Sequence, residues 1–216
     1  MLESREERIN AAKETARLEA FSDGVFAIAI TLLVLDIKVP EPDLLKAKGI
    51  GLAGALLDQW PIYVAYVTSF ITVLIMWANH HTLIDQVKRS DRQLLFLNGL
   101  LLMGVTIVPF PTSLLARYIK EPADAPVAAA VYGMTFTAIA ILFNLVWWYV
   151  AHNNRLLDRQ ADPAVARTIT RRYIFGPGLY LTGTLLALLN PTVGLLIFML
   201  MALFFALPAS KRPLAR

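Results

Sequence analysis

The sequence contains no cysteine, and charged residues are scarce in it. The absence of cysteine excludes disulfide bonds, thiolate metal sites and cysteine nucleophiles. Only 17% of the 216 residues are charged, whereas 57% are hydrophobic, and the mean hydropathy is +0.57. A soluble domain of this length cannot bury so much apolar surface, so the composition indicates an integral membrane protein.

Long apolar runs divide the chain into spans of helical length. A transmembrane helix needs about 20 mostly apolar residues. We therefore predict an all-α unit covering residues 1–216 with six transmembrane helices, at residues 18–38, 60–84, 94–118, 127–151, 173–189 and 192–207. The last two spans meet at Asn190-Pro191, which predicts a tight hairpin across the membrane or, as the alternative, a re-entrant pair. Residues 41–58 are expected to form a loop or a short interfacial helix.

The basic residues carry topology information. The net charge of +4 does not indicate a nucleic-acid partner, because no long basic tract is present. Fifteen of the 20 Lys and Arg residues lie before the first span, between the second and third, between the fourth and fifth, or after the last. The positive-inside rule then predicts a multi-pass protein of the cell membrane with both termini cytoplasmic. The polar first sixteen residues do not read as a cleavable signal, so we expect the first span to stay in the mature protein.

The first span carries an apolar stripe. At about 100° per residue, a series of residues spaced three or four apart stays within about 60° of Ile28 on one side of the helix. These are Arg17, Phe21, Gly24, Ile28, Thr31, Leu32 and Leu35, with Asp36 on the flank. A stripe of this kind most often faces lipid or another helix; a pore lining is the alternative, and periodicity alone does not decide between them.

Asp23 lies inside the first span, although a charge at bilayer depth costs a few kcal/mol or more. On the helical wheel, Ser22 and Asp23 point away from the stripe, toward whatever packs behind the helix. Trp77, His80 and Asn98 are expected at the same depth on the second and third spans. We predict a buried polar network in which Asp23 accepts a hydrogen bond from one of Ser22, Trp77, His80 or Asn98.

Other chemistry has weaker support. His81 and Asp85 have the i, i+4 spacing of metal ligands, but two ligands rarely hold zinc, so no metal site is predicted. Ser22, Asp23 and a histidine contain the residue types of a hydrolytic triad, yet no Gly-x-Ser-x-Gly turn is present. Thr192-Val193-Gly194 begins like a potassium-channel filter but continues with Leu-Leu instead of Tyr-Gly.

The segment Arg17-Leu18-Glu19-Ala20-Phe21-Ser22-Asp23 and the apolar run after it resemble the Arg/Lys-x-x-x-Phe-Ser-Asp first helix of the transmembrane protein 175 family. Trp77-Ala78-Asn79-His80 is similar to the Trp-x-x-His of the family's second helix, and Leu97-Asn98 to its third-helix Asn. The members of this family are lysosomal and prokaryotic potassium channels. The resemblance therefore implies a potassium channel and not an enzyme.

The family resemblance also implies an assembly and a pore. Animal members contain two six-helix units and pair as dimers, so a single-unit chain implies a homotetramer with its first helices around the axis. The pore has no carbonyl filter, and matching the motif position by position puts the constriction on Ile28, Leu32 and Leu35, with Thr31 nearby. Arg17, Ser22 and Asp23 would belong to the structural network with Trp77, His80 and Asn98. No cofactor is implied beyond the permeant potassium ions, and the partners are monovalent cations and the bilayer.

Asp36 is expected at the non-cytoplasmic pore mouth, where fourfold negative charge would concentrate cations. Because a ring of four aliphatic side chains around the pore cannot coordinate an ion, the predicted preference for potassium over sodium is modest.

Two alternative functions stay open. One is a proton pathway, since family members are linked to proton flux and His80, Asp23 and Asp36 are titratable. The other is an intramembrane enzyme that uses His80 and Asp23 as acid and base.

Overall fold

The computed structural model describes residues 5–152, 156–158 and 163–206, and their regular structure is helical apart from an isolated bridge between Val87 and Leu157. The helices are α1 (Arg5–Leu32), α2 (Pro42–Lys48), α3 (Leu52–Asp58), α4 (Trp60–Ile84), α5 (Arg92–Ile107), α6 (Pro109–Tyr118), α7 (Ala125–Ala151), α8 (Pro163–Leu189) and α9 (Pro191–Ala206). A 3₁₀ turn, Leu33–Asp36, extends α1. The all-α prediction is therefore confirmed.

Four helical stretches are long and apolar enough to cross a membrane. They are Lys13–Asp36, Trp60–Ile84, Arg92–Tyr118 and Ala125–Ala151, and α9 is a shorter apolar helix. The chain is thus a multi-pass membrane protein. The predicted spans 173–189 and 192–207 fall on the second half of α8 and on α9, and they stay predictions as membrane spans. Residue 207 lies outside the described residues, as do Arg155, Arg159 and the C-terminal basic residues that contribute to the predicted orientation.

The first span is not a uniform α-helix to residue 38. The α-helix ends at Leu32, the next turn is 3₁₀, and Ile37 is extended. Val39 precedes Pro40, and a residue before proline is driven out of the helical region, so the helix cannot extend through Val39. The predicted stripe is based on α-helical spacing, which does not hold in this turn. In a 3₁₀ turn, however, side chains three residues apart eclipse each other, so Leu35 still lies in line with Leu32.

Proline and glycine divide two further segments. The predicted third span breaks after Ile107, because Pro109 has no N–H to donate to the carbonyl of Val105, which instead accepts from Val108 at 3.1 Å. The segment 41–58 forms two helices, α2 and α3. Gly49 ends α2 with φ of 64°, a left-handed conformation that favours glycine.

The helix α8 starts ten residues before the predicted fifth span and holds Pro177 in its interior. Pro177 cannot donate to the carbonyl of Tyr173, one turn earlier. The side-chain nitrogen Nδ2 of Asn144 on α7 donates to this carbonyl. The hydrogen bond satisfies a buried backbone acceptor and fixes the position of α8 against α7.

The helices α8 and α9 pack antiparallel as a hairpin with glycines at the contact. Asn190 caps α9, because its Oδ1 accepts from the backbone N–H of Thr192 at 3.0 Å. A Cβ added at Gly194 would lie 2.3 Å from the Cβ of Ala187, and one at Gly183 would lie 2.9 Å from the ring of Phe198. The backbones approach this closely only because these two positions carry no side chain.

Candidate functional site

One face of α1 attaches the helix to the rest of the chain. Its buried residues recur every three or four positions, as expected for the inward face of a helix. They are Leu18, Ser22, Phe26, Ala29 and Leu33, each at most 4% exposed. This face packs on α4 and α5. The opposite face of α1 is consequently turned away from the subunit's own core.

The outward face of α1 carries the predicted stripe. Phe21 is 63% exposed, Ile28 59%, Leu32 41% and Leu35 60%. We call these four side chains the large row. They follow one another along the helix from the depth of Ser22 to the 3₁₀ turn. The structure therefore brings the predicted constriction residues onto one exposed surface.

A second row lies beside the large row on the same outward face. It consists of the exposed small residues Ala20, Gly24, Ala27 and Thr31, which we call the small row. A Cβ added at Gly24 would meet nothing within 4 Å in the subunit. The hydroxyl of Thr31 donates to the carbonyl oxygen of Ile28 at 2.9 Å, so its hydrogen is used while its oxygen lone pairs stay exposed.

A buried polar chain connects three helices behind α1. Ser22 Oγ donates to the carbonyl of Leu18 at 2.8 Å and accepts from Asn98 Nδ2 at 2.9 Å. With this amide orientation, Asn98 Oδ1 accepts from His80 Nε2 at 2.7 Å. Ser22 and His80 are fully buried, and Asn98 is 1% exposed. The chain links α1, α4 and α5 without a charged partner.

Asp23 is held separately from this chain. Its Oδ1 accepts from the indole Nε1 of Trp77 at 2.8 Å, so Trp77 is the donor among the four predicted candidates. The predicted single network is therefore divided into Ser22–Asn98–His80 and Asp23–Trp77. Arg17 is exposed at the start of the stripe, and within the described residues it has no hydrogen bond or ion pair with either group.

Asp36 lies at the other end of α1, half-buried in the 3₁₀ turn. At 1.5 Å per residue it is about 20 Å along the helix from Asp23. The two carboxylates that the sequence singled out are thus separated by the depth of the large row. They cannot act on one another directly.

The site does not have the geometry of a hydrolase. A Ser-His-Asp triad needs the serine bonded to the histidine and the histidine bonded to the carboxylate. Ser22 instead donates to a backbone carbonyl, and His80 pairs with Asn98. Sequence reasoning missed one contact here, the 2.9 Å pair between Glu19 Oε1 and His81 Nδ1. The sequence pattern that could have revealed this contact is a matched spacing of four residues. It separates Glu19 from Asp23 on α1 and Trp77 from His81 on α4.

Comparison with known proteins agrees with the resemblance. The family described as "Endosomal/lysosomal potassium channel TMEM175" matches residues 17–109. A potassium channel of Chamaesiphon minutus is 50% identical over 194 residues, covering 90% of this chain and 94% of that protein. The human endosomal/lysosomal proton channel TMEM175 is 37% identical over 139 residues, covering 62% of this chain and 27% of that protein.

A solved structure has the same fold. The crystal structure of a lysosomal potassium-selective channel TMEM175 homologue from Chamaesiphon minutus superposes with a TM-score of 0.82 at 46% identity, covering 92% of this chain and 100% of that chain. The family and these relatives are ion channels, which excludes the enzyme alternative. The predicted resemblance is confirmed, and the chain belongs to the TMEM175 family.

Proposed function

We propose that the chain is a potassium-permeable cation channel of the cell membrane, in which the first helices of four identical subunits surround one central pore. Each subunit crosses the membrane six times and has both termini in the cytoplasm. The observation that carries this proposal is the large row, a line of exposed apolar side chains on a helix whose other face is buried.

The two rows of α1 explain how four copies fit together. Small residues at the surface of a membrane helix let a neighbouring backbone approach closely. The small row therefore packs against α1 of the neighbouring subunit, and the adjacent large row then faces the pore axis. One subunit has a single helix of this kind and cannot enclose a pore, so the channel is a homotetramer.

The large row supplies the constriction. Rings of Ile28, Leu32 and Leu35 narrow the pore with apolar side chains that exclude water, and such a constriction closes or opens as the helices rotate or retract. Thr31 offers hydroxyl oxygens beside these rings. Because aliphatic side chains do not coordinate ions, the channel penalises the ion that holds its water more tightly, and its preference for potassium over sodium is modest.

Electrostatics at the mouth favours cations. Asp36 ends the helical segment on the non-cytoplasmic side, and four copies place four carboxylates around the entrance. The C-terminal end of α1 points the same way and adds partial negative charge. The selectivity for cations over anions thus arises at the mouth, apart from the apolar constriction.

A proton pathway is the second candidate, because the human relative is a proton channel by name. In this subunit, His80 and Asp23 lie on the side of α1 that packs against α4 and α5, away from the large row. A proton path therefore passes the same constriction as the cations, with Asp36 as the titratable group at its mouth. Reversal potentials measured under a pH gradient distinguish the two: a reversal potential that follows the proton gradient favours proton conduction, and one that follows potassium favours the channel proposed above.

The test of the pore replaces Ile28 by Asn and measures potassium and sodium flux in liposomes. Four wettable amides in place of four apolar side chains raise the conductance and lower the potassium preference. Ile30, on the opposite face of α1, packs against the core, so its substitution also disturbs folding. Ile71→Asn on α4 is the better matched control, since Ile71 is 45% exposed and lies off the first helix.

The expected result is a large change for Ile28→Asn and almost none for Ile71→Asn. Equal effects of the two substitutions would show that Ile28 is an ordinary surface position. An assembled Ile28→Asn channel with unchanged conductance and selectivity would likewise rule out the pore lining.

A further inference from the structure

Three potential metal ligands meet where the start of the first apolar span packs on the last turn of α4. They are Glu19 on α1, His81 on α4 and Asp85 directly after α4, and their ligand atoms all lie within 4.8 Å of one another. The sequence spacing provided only two ligands, His81 and Asp85. The third, Glu19, comes from a different helix and is brought in by the packing of α1 on α4.

The packing that assembles this cluster is fixed by a second contact one turn away. Glu19 and Asp23 are four residues apart on α1, and Trp77 and His81 are four residues apart on α4. Asp23 pairs with Trp77 at 2.8 Å, and Glu19 pairs with His81 at 2.9 Å. The Trp77 and His81 rings also lie 6.0 Å apart. The positions of Glu19 and His81 are therefore set by the helix interface.

The donor set selects a class of metal. One imidazole nitrogen with two carboxylate oxygens suits Zn²⁺ and neighbouring transition-metal dications, whereas Mg²⁺ and Ca²⁺ favour oxygen ligands throughout. In tetrahedral zinc coordination, adjacent ligand atoms are about 3.3 Å apart, given metal–ligand distances of about 2 Å. Glu19 Oε1 and His81 Nδ1 lie 2.9 Å apart, so they need to separate by only a few tenths of an ångström. The exposed Asp85 reaches it by a small side-chain rotation, while the open side of the cluster admits water as a fourth ligand.

We propose that Glu19, His81 and Asp85 bind one divalent transition-metal ion per subunit, which clamps α1 to the end of α4. In the bound state the ion takes the place of the hydrogen between Glu19 and His81, and the neutral imidazole keeps its one N–H at Nε2. The ion then adds a metal link between α1 and the end of α4, beyond the contacts that Asp23–Trp77 and Glu19–His81 already make. The clamp is independent of whether α1 lines a pore.

Calorimetric titration of the assembled protein in lipid nanodiscs with ZnCl₂ tests the site, and the same titration with MgCl₂ tests its selectivity. We expect saturable Zn²⁺ binding at one ion per chain and none for Mg²⁺ at the same concentrations. Thermal unfolding followed in parallel should shift to higher temperature with Zn²⁺, because the ion binds the folded state.

Glu19→Gln and Asp85→Asn should each weaken Zn²⁺ affinity at least about tenfold, since losses of 10- to 100-fold already follow changes in residues that merely support metal ligands. Asp85→Asn is the more tolerant variant, because Asp85 is exposed at the C-terminal end of α4, where a negative charge is unfavourable. His152→Gln is the matched control, since His152 is exposed and outside the cluster.

Three results would each overturn the proposal. The first is no Zn²⁺ binding by the wild-type protein. The second is wild-type affinity in a folded Asp85→Asn variant. The third is a loss of binding in His152→Gln comparable to that in Asp85→Asn, which would assign the ion to nonspecific surface histidines.

Discussion

Asp23 Oδ1 accepts a 2.8 Å hydrogen bond from Trp77 Nε1 across the interface between α1 and α4. This contact explains why a carboxylate is tolerated at membrane depth. An indole N–H is a donor that hydrocarbon cannot satisfy, and the carboxylate is an acceptor that hydrocarbon cannot satisfy. Their pairing lowers both costs and ties the first helix to α4 at this height.

Replacement of Asp23 by Ala should leave the indole N–H of Trp77 without a partner and destabilise the subunit by about 1–3 kcal/mol. Thermal unfolding in detergent measures this loss. A double-mutant cycle with Trp77→Phe isolates the pair, because the second substitution should cost much less once the first is present. Normal stability together with sharply altered ion preference in Asp23→Ala would contradict this, and would mean that Asp23 faces the pore.

Gly194→Ala should force α8 and α9 apart, because the added Cβ would lie 2.3 Å from the Cβ of Ala187 and 2.7 Å from its Cα. Backbone and a short side chain cannot yield, so we expect a loss of about 1–3 kcal/mol, as is typical of overpacked interiors. Gly178→Ala on α8 is the control: its Cβ would meet nothing within 4 Å. That variant should be neutral or more stable by up to about 1 kcal/mol. Equal unfolding temperatures for the two variants would refute the close approach.

Gly24→Leu should prevent tetramer formation while leaving the subunit folded. Gly24 belongs to the small row that we propose packs on the neighbouring α1, and within the subunit its Cβ would meet nothing within 4 Å. Native mass measurement in lipid nanodiscs reports the number of chains. Gly99→Leu on α5 is matched, since Gly99 is also exposed with open space at its Cβ. A tetrameric Gly24→Leu protein would exclude α1–α1 packing through the small row.

Asp36→Asn should lower potassium conductance at low ionic strength, because it removes the charge that concentrates cations at the mouth. The deficit should shrink toward zero near 1 M salt, where the Debye length is only about 3 Å. Single-channel recording over a salt series measures this. Asp124→Asn, at the start of α7, removes an exposed carboxylate away from the first helix and should change little. A deficit independent of salt would assign Asp36 a structural role instead.

The sequence alone determined the membrane class, the all-helical fold, the family and the outward stripe of α1. These depend on composition, on motifs and on local geometry. The stripe follows from 3.6 residues per turn, and so Ile28 and Leu32 share a face whatever the helix packs against. The opposite direction of Ser22 was predictable for the same reason.

Only the tertiary structure decided which side chains meet. The sequence offered four donors to Asp23, and the height of α4 beside α1 selected Trp77. The same register places Glu19 beside His81. The cluster therefore has a third candidate ligand, whereas the sequence spacing showed only His81 and Asp85. Asn144 reaches the carbonyl freed by Pro177 only because α7 and α8 lie side by side. Such pairings depend on the crossing and relative shift of helices, which many packed side chains set together, and no local pattern in the sequence encodes them.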